Sequence, residues 1–205
     1  MKRSVQELVL RRINGKMRDM YFARGDFSDL GSRLAVSQVL SRLEKTGVLV
    51  SPLRGYYGKP RMSKLLGERL PPDYGGLADA IARNEGWVII PCGDILLNEM
   101  GLSAQVPVVW SYVSTGPYRT YNVQGTVISF KHTANREMFC LSPKSAKVVQ
   151  ALKTIGANRI DGEVLKRLRE RLSVGELKLL LSETSRVTSW IYEIVRKLAK
   201  EETYA

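Results

Sequence analysis

Ser32-Arg33-Leu34-Ala35-Val36-Ser37-Gln38-Val39-Leu40-Ser41-Arg42-Leu43-Glu44-Lys45-Thr46-Gly47 is the stretch on which the fold turns. Ser32 suits an N-cap and Gly47 a C′ position, so the spacing predicts a helix from Ser32 to Thr46. Val36, Val39, Leu40 and Leu43 share one face and form its core stripe. At about 100° per residue the opposite face carries Leu34, Ser37, Gln38, Ser41 and Lys45, with Arg33 and Arg42 on the flanks. Small hydroxyls permit close approach to a duplex. A Gln amide pairs with adenine, and Arg pairs with guanine or clamps phosphate.

Upstream, Ser4 and Glu7 are spaced as a capping box, and Val5, Leu8, Val9 and Ile13 repeat at helical period until Asn14-Gly15. Met20-Tyr21-Phe22 reads as extended, and Asp26–Leu30 as a short second helix stopped at Gly31. Downstream of Gly47, Val48-Leu49-Val50 and the segment from Ser51 to Arg61 read as two strand-like pieces around a basic turn. Three helices followed by such a wing predict a winged helix-turn-helix over residues 1–70, its third helix entering the major groove and its wing touching the backbone. A winged helix used only for protein contacts is the alternative.

The charge distribution agrees with a polyanionic partner. The chain has 205 residues and a net charge of +12. Residues 1–70 hold 15 Lys/Arg against 6 Asp/Glu, residues 71–141 hold 4 against 6, and residues 142–205 hold 13 against 8. Such a surplus favours nucleic acid or an anionic membrane surface. No apolar stretch approaches the ~20 residues that span a bilayer. Met1-Lys2-Arg3-Ser4 leads into Gln6 and Glu7 without an apolar segment, so no signal peptide is expected and the location is read as cytoplasmic. Cys92 and Cys140 are either paired or, as fits a chain without an export signal, reduced thiols that are partly buried.

Pro71-Pro72 and Gly75-Gly76 mark a boundary, after which residues 71–205 form a C-terminal domain. Its first part, residues 71–141, reads as a small α+β unit. The expected elements are a helix at Leu77–Asn84, a strand at Trp87–Pro91, a helix at Asp94–Met100, and strands at Val106–Ser114, Tyr118–Val123 and Thr126–His132. Gln124-Gly125 is the expected hairpin turn. Residues 142–205 read as helical. One helix starts at Ser142-Pro143, a second at Asp161, a third spans Gly175 to Ser182, and a fourth opens at Thr184 or Ser185 and carries Trp190. The basic run Lys166, Arg167, Arg169 and Arg171 reads as a solvated face, with a phosphate or RNA contact as the other reading. The fold class is therefore α+β.

Three segments are similar to AbiEi-type antitoxins of type IV abortive-infection toxin–antitoxin systems: Asp26–Arg33, Leu40–Leu49 and Arg54-Gly55-Tyr56-Tyr57. The stretch Leu96-Leu97-Asn98-Glu99-Met100-Gly101-Leu102-Ser103-Ala104-Gln105-Val106-Pro107 and the stretch Thr126–Ala134 resemble a shorter branch of that family. The resemblance covers roughly residues 1–140; residues 142–205 match no pattern. It implies a transcriptional regulator that represses its own operon at promoter inverted repeats and opposes a cognate nucleotidyltransferase-like toxin. By the family pattern, contacts to double-stranded DNA fall on Arg33, Gln38, Ser41 and Arg42, with Arg54, Tyr56 and Lys59 in the wing. One half-site per winged helix makes two copies on an inverted repeat the geometric expectation.

Enzyme signatures are weak. His132 is the one histidine, and with two cysteines it offers no zinc-ligand spacing. Gly55–Pro60 lacks the Walker spacing, and Gly31-Ser32 is not followed by a metal-binding Asp-x-Asp pair. A non-enzymatic chain with no cofactor and no metal is expected. Direct toxin neutralisation, with the winged helix as scaffold, and RNA binding are the other readings.

Overall fold

The computed structural model describes residues 3–15, 17, 20–65, 67–133 and 140–200; Ala134, in the last stretch similar to the antitoxins, lies outside them. The chain is mixed α+β and divides into two compact units. The first comprises residues 1–88 with 122–128, and the second residues 89–121 with 129–205.

In the first unit, α1 (Val5–Asn14) opens on a capping box: Ser4 Oγ accepts from the Glu7 amide, and Glu7 Oε2 accepts from the Ser4 amide, both at 3.2 Å. A two-residue strand β1 (Phe22–Ala23) follows. The helix expected at Asp26–Leu30 is absent; a 3-10 turn spans Arg24–Phe27 in its place. Asp26 accounts for the difference. Its carboxylate accepts from the Ala23 amide at 2.8 Å and from Arg83 at 2.9 Å, which ties it into a turn. Then come α2 (Arg33–Lys45), the hairpin β2 (Val50–Leu53) and β3 (Tyr56–Gly58), and α3 (Tyr74–Glu85). The sheet runs β1-β3-β2, antiparallel throughout.

Burial follows the helical period. Val36, Val39, Leu40 and Leu43 of α2 are all buried, against Val9 and Ile13 of α1 and the pair Phe22 and Phe27. Two polar clamps brace this core. Arg12 grips both carboxylate oxygens of Asp29 at 2.6 Å and donates to the Asp26 carbonyl at 2.8 Å. Arg83 of α3 holds Asp26 and donates to the Tyr21 carbonyl at 2.8 Å. The unit therefore runs past Pro71-Pro72 to Val88, because α3 packs on β1 and is tied back to residues far up the chain.

The Arg12 guanidinium holds the Asp29 carboxyl at about 2, well below the usual carboxylate range. A carboxyl whose folded-state pKa is depressed contributes stability that is complete above its unfolded pKa, about 3.9. That contribution is lost as pH falls from about 4 towards 2. Thermal unfolding of the parent and Asp29→Asn at stepped pH is expected to show a gap near neutrality that closes in this acid window. A gap that persists at pH 2 would rule out the linkage.

The second unit contains β4 (Ile89–Cys92), α4 (Asp94–Glu99), β5 (Val109–Ser114), most of the hairpin β6 (Arg119–Val123) and β7 (Thr126–His132), and four helices: α5 (Pro143–Ile155), α6 (Gly162–Glu170), α7 (Val174–Glu183) and α8 (Ser189–Lys200). The four strands are ordered β4-β5-β7-β6. Gln124 and Gly125 both have positive φ, 51° and 87°, which is the type I′ pattern of a two-residue hairpin turn. Leu96, Val148, Leu152, Leu168, Leu180, Ile191 and Val195 belong to one buried cluster. Ser142 caps α5 and also donates to Glu183 through its amide (3.0 Å) and hydroxyl (2.9 Å), joining the start of α5 to the end of α7. The last helix starts later than its spacing predicts. Thr184 is buried and its hydroxyl donates to the Leu180 carbonyl at 2.7 Å, so it finishes α7.

Candidate nucleic-acid interface

The α2 helix has two sharply different faces. Ser32 Oγ accepts from the Ala35 amide at 3.3 Å and opens the helix, whose first turn carries no carboxylate. The N-terminal end, with its partial positive charge and Arg33 beside it, therefore favours an anion. Opposite the buried stripe, Arg33, Leu34, Gln38, Arg42 and Lys45 are exposed, Leu34 to 69%. Ser37 and Ser41 are half-buried.

Not all of these side chains are equally free. Ser37 Oγ donates to the Arg33 carbonyl at 2.9 Å and accepts from Arg24 at 3.4 Å, so its hydroxyl is already engaged. Arg42 donates to Gln6 Oε1 of α1 at 3.2 Å, which sets its guanidinium on the α1 side of the row. Gln38 is held by no other side chain among the described residues and has both amide atoms available.

In the hairpin, Leu53 pairs with Tyr56 across a two-residue turn, and Gly55 sits at φ 88°, a conformation an L side chain rarely adopts. Arg54 is exposed at the tip. Lys59 is half-buried and lines a groove of about 280 Å³ with Glu44, Pro52 and Arg61. Tyr56 does not join the contact surface expected of it. It is 8% exposed in the central strand, and its hydroxyl accepts from Asn84 Nδ2 of α3 at 3.3 Å. The alternation of a strand sends Tyr56 inward, where it serves packing.

Gly58 is required for the same packing. A Cβ there would lie 2.6 Å from the Tyr21 ring, whose hydroxyl accepts from the Asp73 amide at 3.2 Å. Tyr57 is half-buried; burial first, then the nearby Glu44 carboxylate, push its phenol up, so it stays neutral.

Sequence spacing missed Arg24. The 3-10 turn places it half-buried beside Ser37, on the helix face that carries the basic row. Its sequence signal is slight: a cation directly after a buried pair, in a turn whose position over α2 only the fold determines.

Elsewhere the chemistry is sparse. His132 Nδ1 donates to the Gly116 carbonyl at 2.9 Å, an anchoring contact beside the Tyr118 ring. Cys92 is buried and burial pushes its thiol up, whereas Cys140 is exposed, against the expectation that both are partly buried; both are free thiols. Among the described residues no three His, Cys, Asp or Glu side chains gather as metal ligands would, and no helix is long and apolar enough to cross a membrane. In the basic run of α6, Arg169 donates to the Leu172 carbonyl at 3.2 Å, and Arg171, at the helix C-cap, donates to the Glu99 carbonyl at 3.5 Å, while Lys166 and Arg167 are exposed.

Residues 8–178 match DUF6088, a family of unknown function. The chain belongs to that family. Among solved structures it is similar to the RV2827C protein from Mycobacterium tuberculosis, with 13% identity, 98% of this chain and 78% of that chain covered, and a TM-score of 0.48. No curated protein matches.

Proposed function

We propose that the first unit is a winged helix-turn-helix and that the chain is a sequence-specific DNA-binding antitoxin, which represses its own operon and counteracts a cognate nucleotidyltransferase-like toxin. The exposed row Arg33, Leu34, Gln38, Arg42 and Lys45, opposite a buried apolar stripe on the same helix, carries this reading. The resemblance of Asp26–Arg33, Leu40–Leu49 and Arg54-Gly55-Tyr56-Tyr57 to AbiEi-type antitoxins supports its antitoxin part.

In this account α2 enters the major groove. The Gln38 amide takes an adenine edge and Arg33 a guanine edge, the pairings their donor and acceptor geometry suits. Arg42, Lys45 and Arg54 neutralise phosphates on either side, which sets register and adds salt-dependent affinity. Two copies then read the two halves of a promoter inverted repeat. The chain does no covalent chemistry.

A reporter fused to the chain's own upstream region tests this. Supplying the protein in trans is expected to lower expression several-fold, and Arg42→Ala to restore it. Unchanged expression with the parent would remove the repressor role. For the antitoxin role, co-expression with the neighbouring gene product is expected to rescue growth.

One observation favours direct neutralisation as a second reading. In the Gln-Val-Pro segment of the second unit, Val106 and Val108 are 86% and 82% exposed, and Asn98 Nδ2 holds the loop by donating to the Gln105 carbonyl at 3.1 Å. A stable complex with the toxin that Val106→Asp abolishes, with no promoter binding, would establish it.

A further inference from the structure

Residues 61–70, between the hairpin and α3, form an element that the function above does not use. Met62 and Arg69 pair as an antiparallel bridge. The Leu70 amide donates to the Arg61 carbonyl at 2.8 Å, the Ser63 amide to the Glu68 carbonyl at 2.9 Å, and the Gly67 amide to the Ser63 carbonyl at 3.0 Å. This ladder makes a short second β-arm, closed near Lys64 and Leu65. It is built by backbone pairing, and most of its described side chains are exposed. Leu65 is 92% exposed and Met62 54%, while Arg61, Lys64 and Arg69 are exposed too.

An exposed arm of this composition contributes little to a core. Lys59, Arg61, Lys64 and Arg69 form no ion pair among the described residues. Arg61 and Arg69 line the same groove as Glu44 and Gly47, which places the arm near the C-terminal end of α2. Free cations around an exposed apolar tip are the equipment of an element that straddles a DNA backbone and sets an aliphatic side chain in the minor groove. Single-stranded nucleic acid fits less well, because residues 59–70 contain no aromatic side chain on which a base would stack.

We propose that this arm is a second contact to duplex DNA, in which Arg61, Lys64 and Arg69 hold phosphates flanking the site read by α2 and Leu65 enters the adjacent minor groove. The proposal rests on the DNA-binding reading above. It gives the arm a sequence-independent role, separate from base reading by Gln38.

The test is a fluorescence-anisotropy titration of the parent and the triple variant Arg61→Gln/Lys64→Gln/Arg69→Gln. Both are titrated against the chain's own upstream duplex and a scrambled duplex, from 50 to 200 mM salt. About six neutralised phosphates give the parent a log–log salt slope near −5. The triple variant is expected to be shallower by about 2.7, near 0.9 per lost phosphate contact. It is also expected to lose affinity for both duplexes equally, so that their ratio is unchanged. If the triple variant unfolds at lower temperature than the parent, Lys64→Gln alone carries the test with a slope change of about 0.9. Where the parent binds the upstream duplex, slope and affinity unchanged in the triple variant would overturn the arm's role and leave α2 reading intact. A parent that binds neither duplex would overturn the DNA-binding reading and the arm with it.

Discussion

Replacing Phe27 with alanine is expected to destabilise the first unit by about 3–5 kcal/mol, the range for truncating a fully buried aromatic side chain. Phe27 has no exposed surface and meets Phe22 edge-to-face, with ring centroids 5.3 Å apart and an interplanar angle of 89°. The Arg12 guanidinium stands 6.0 Å from its centroid. The ring thus links the 3-10 turn to the cluster formed by α1 and α2, and its loss leaves a cavity that this braced core closes only in part. Urea unfolding followed by circular dichroism is the measurement. A cost below about 1 kcal/mol would contradict the packing described. Because the same cluster orients α2, retention of upstream DNA is expected to fall in parallel with the folded fraction.

Gln38→Ala is expected to do the reverse: stability stays as it was, and recognition is lost. Gln38 is exposed, and no other side chain among the described residues holds it, so its truncation removes no packing. A bidentate amide–adenine pair contributes about 1–3 kcal/mol of discrimination, or roughly 5–150-fold in affinity. The loss should appear on the upstream duplex and not on a scrambled one, in a competition gel shift. Equal loss on both would make Gln38 a phosphate ligand, and no loss on either would show that α2 does not present its reading face where we place it.

Much of this architecture is legible in the residues because it is local. The Ser4–Glu7 capping box, the stripe Val36, Val39, Leu40 and Leu43, and the Gln124-Gly125 turn each depend on neighbours within one or two turns of chain, and each forms as its spacing predicts. Features set by distant partners are not legible in this way. The turn at Arg24–Phe27 depends on Arg83, which lies 57 positions beyond Asp26, and that same clamp carries the first unit past the Pro71-Pro72 punctuation. The family resemblance places Tyr56 among the wing contacts; only its pairing in the central strand and its bond from Asn84 reveal that it faces inward. Trp190 lies on the apolar stripe of α8 but is half-buried, so its truncation should cost less than that of Phe27. Of the candidate site, the exposed row on α2 was readable from helical period, whereas Arg24 and the arm at residues 61–70 depend on backbone turns that no periodicity encodes.

The central claim, that α2 reads a specific duplex, is tested most directly by a gel-shift titration of the full chain against its own upstream DNA, with scrambled DNA as competitor, at physiological salt. The account predicts retention of the upstream duplex at nanomolar protein that survives an excess of the scrambled competitor. Weak retention, equal on the two duplexes, would contradict it and leave the first unit as a scaffold for protein contacts.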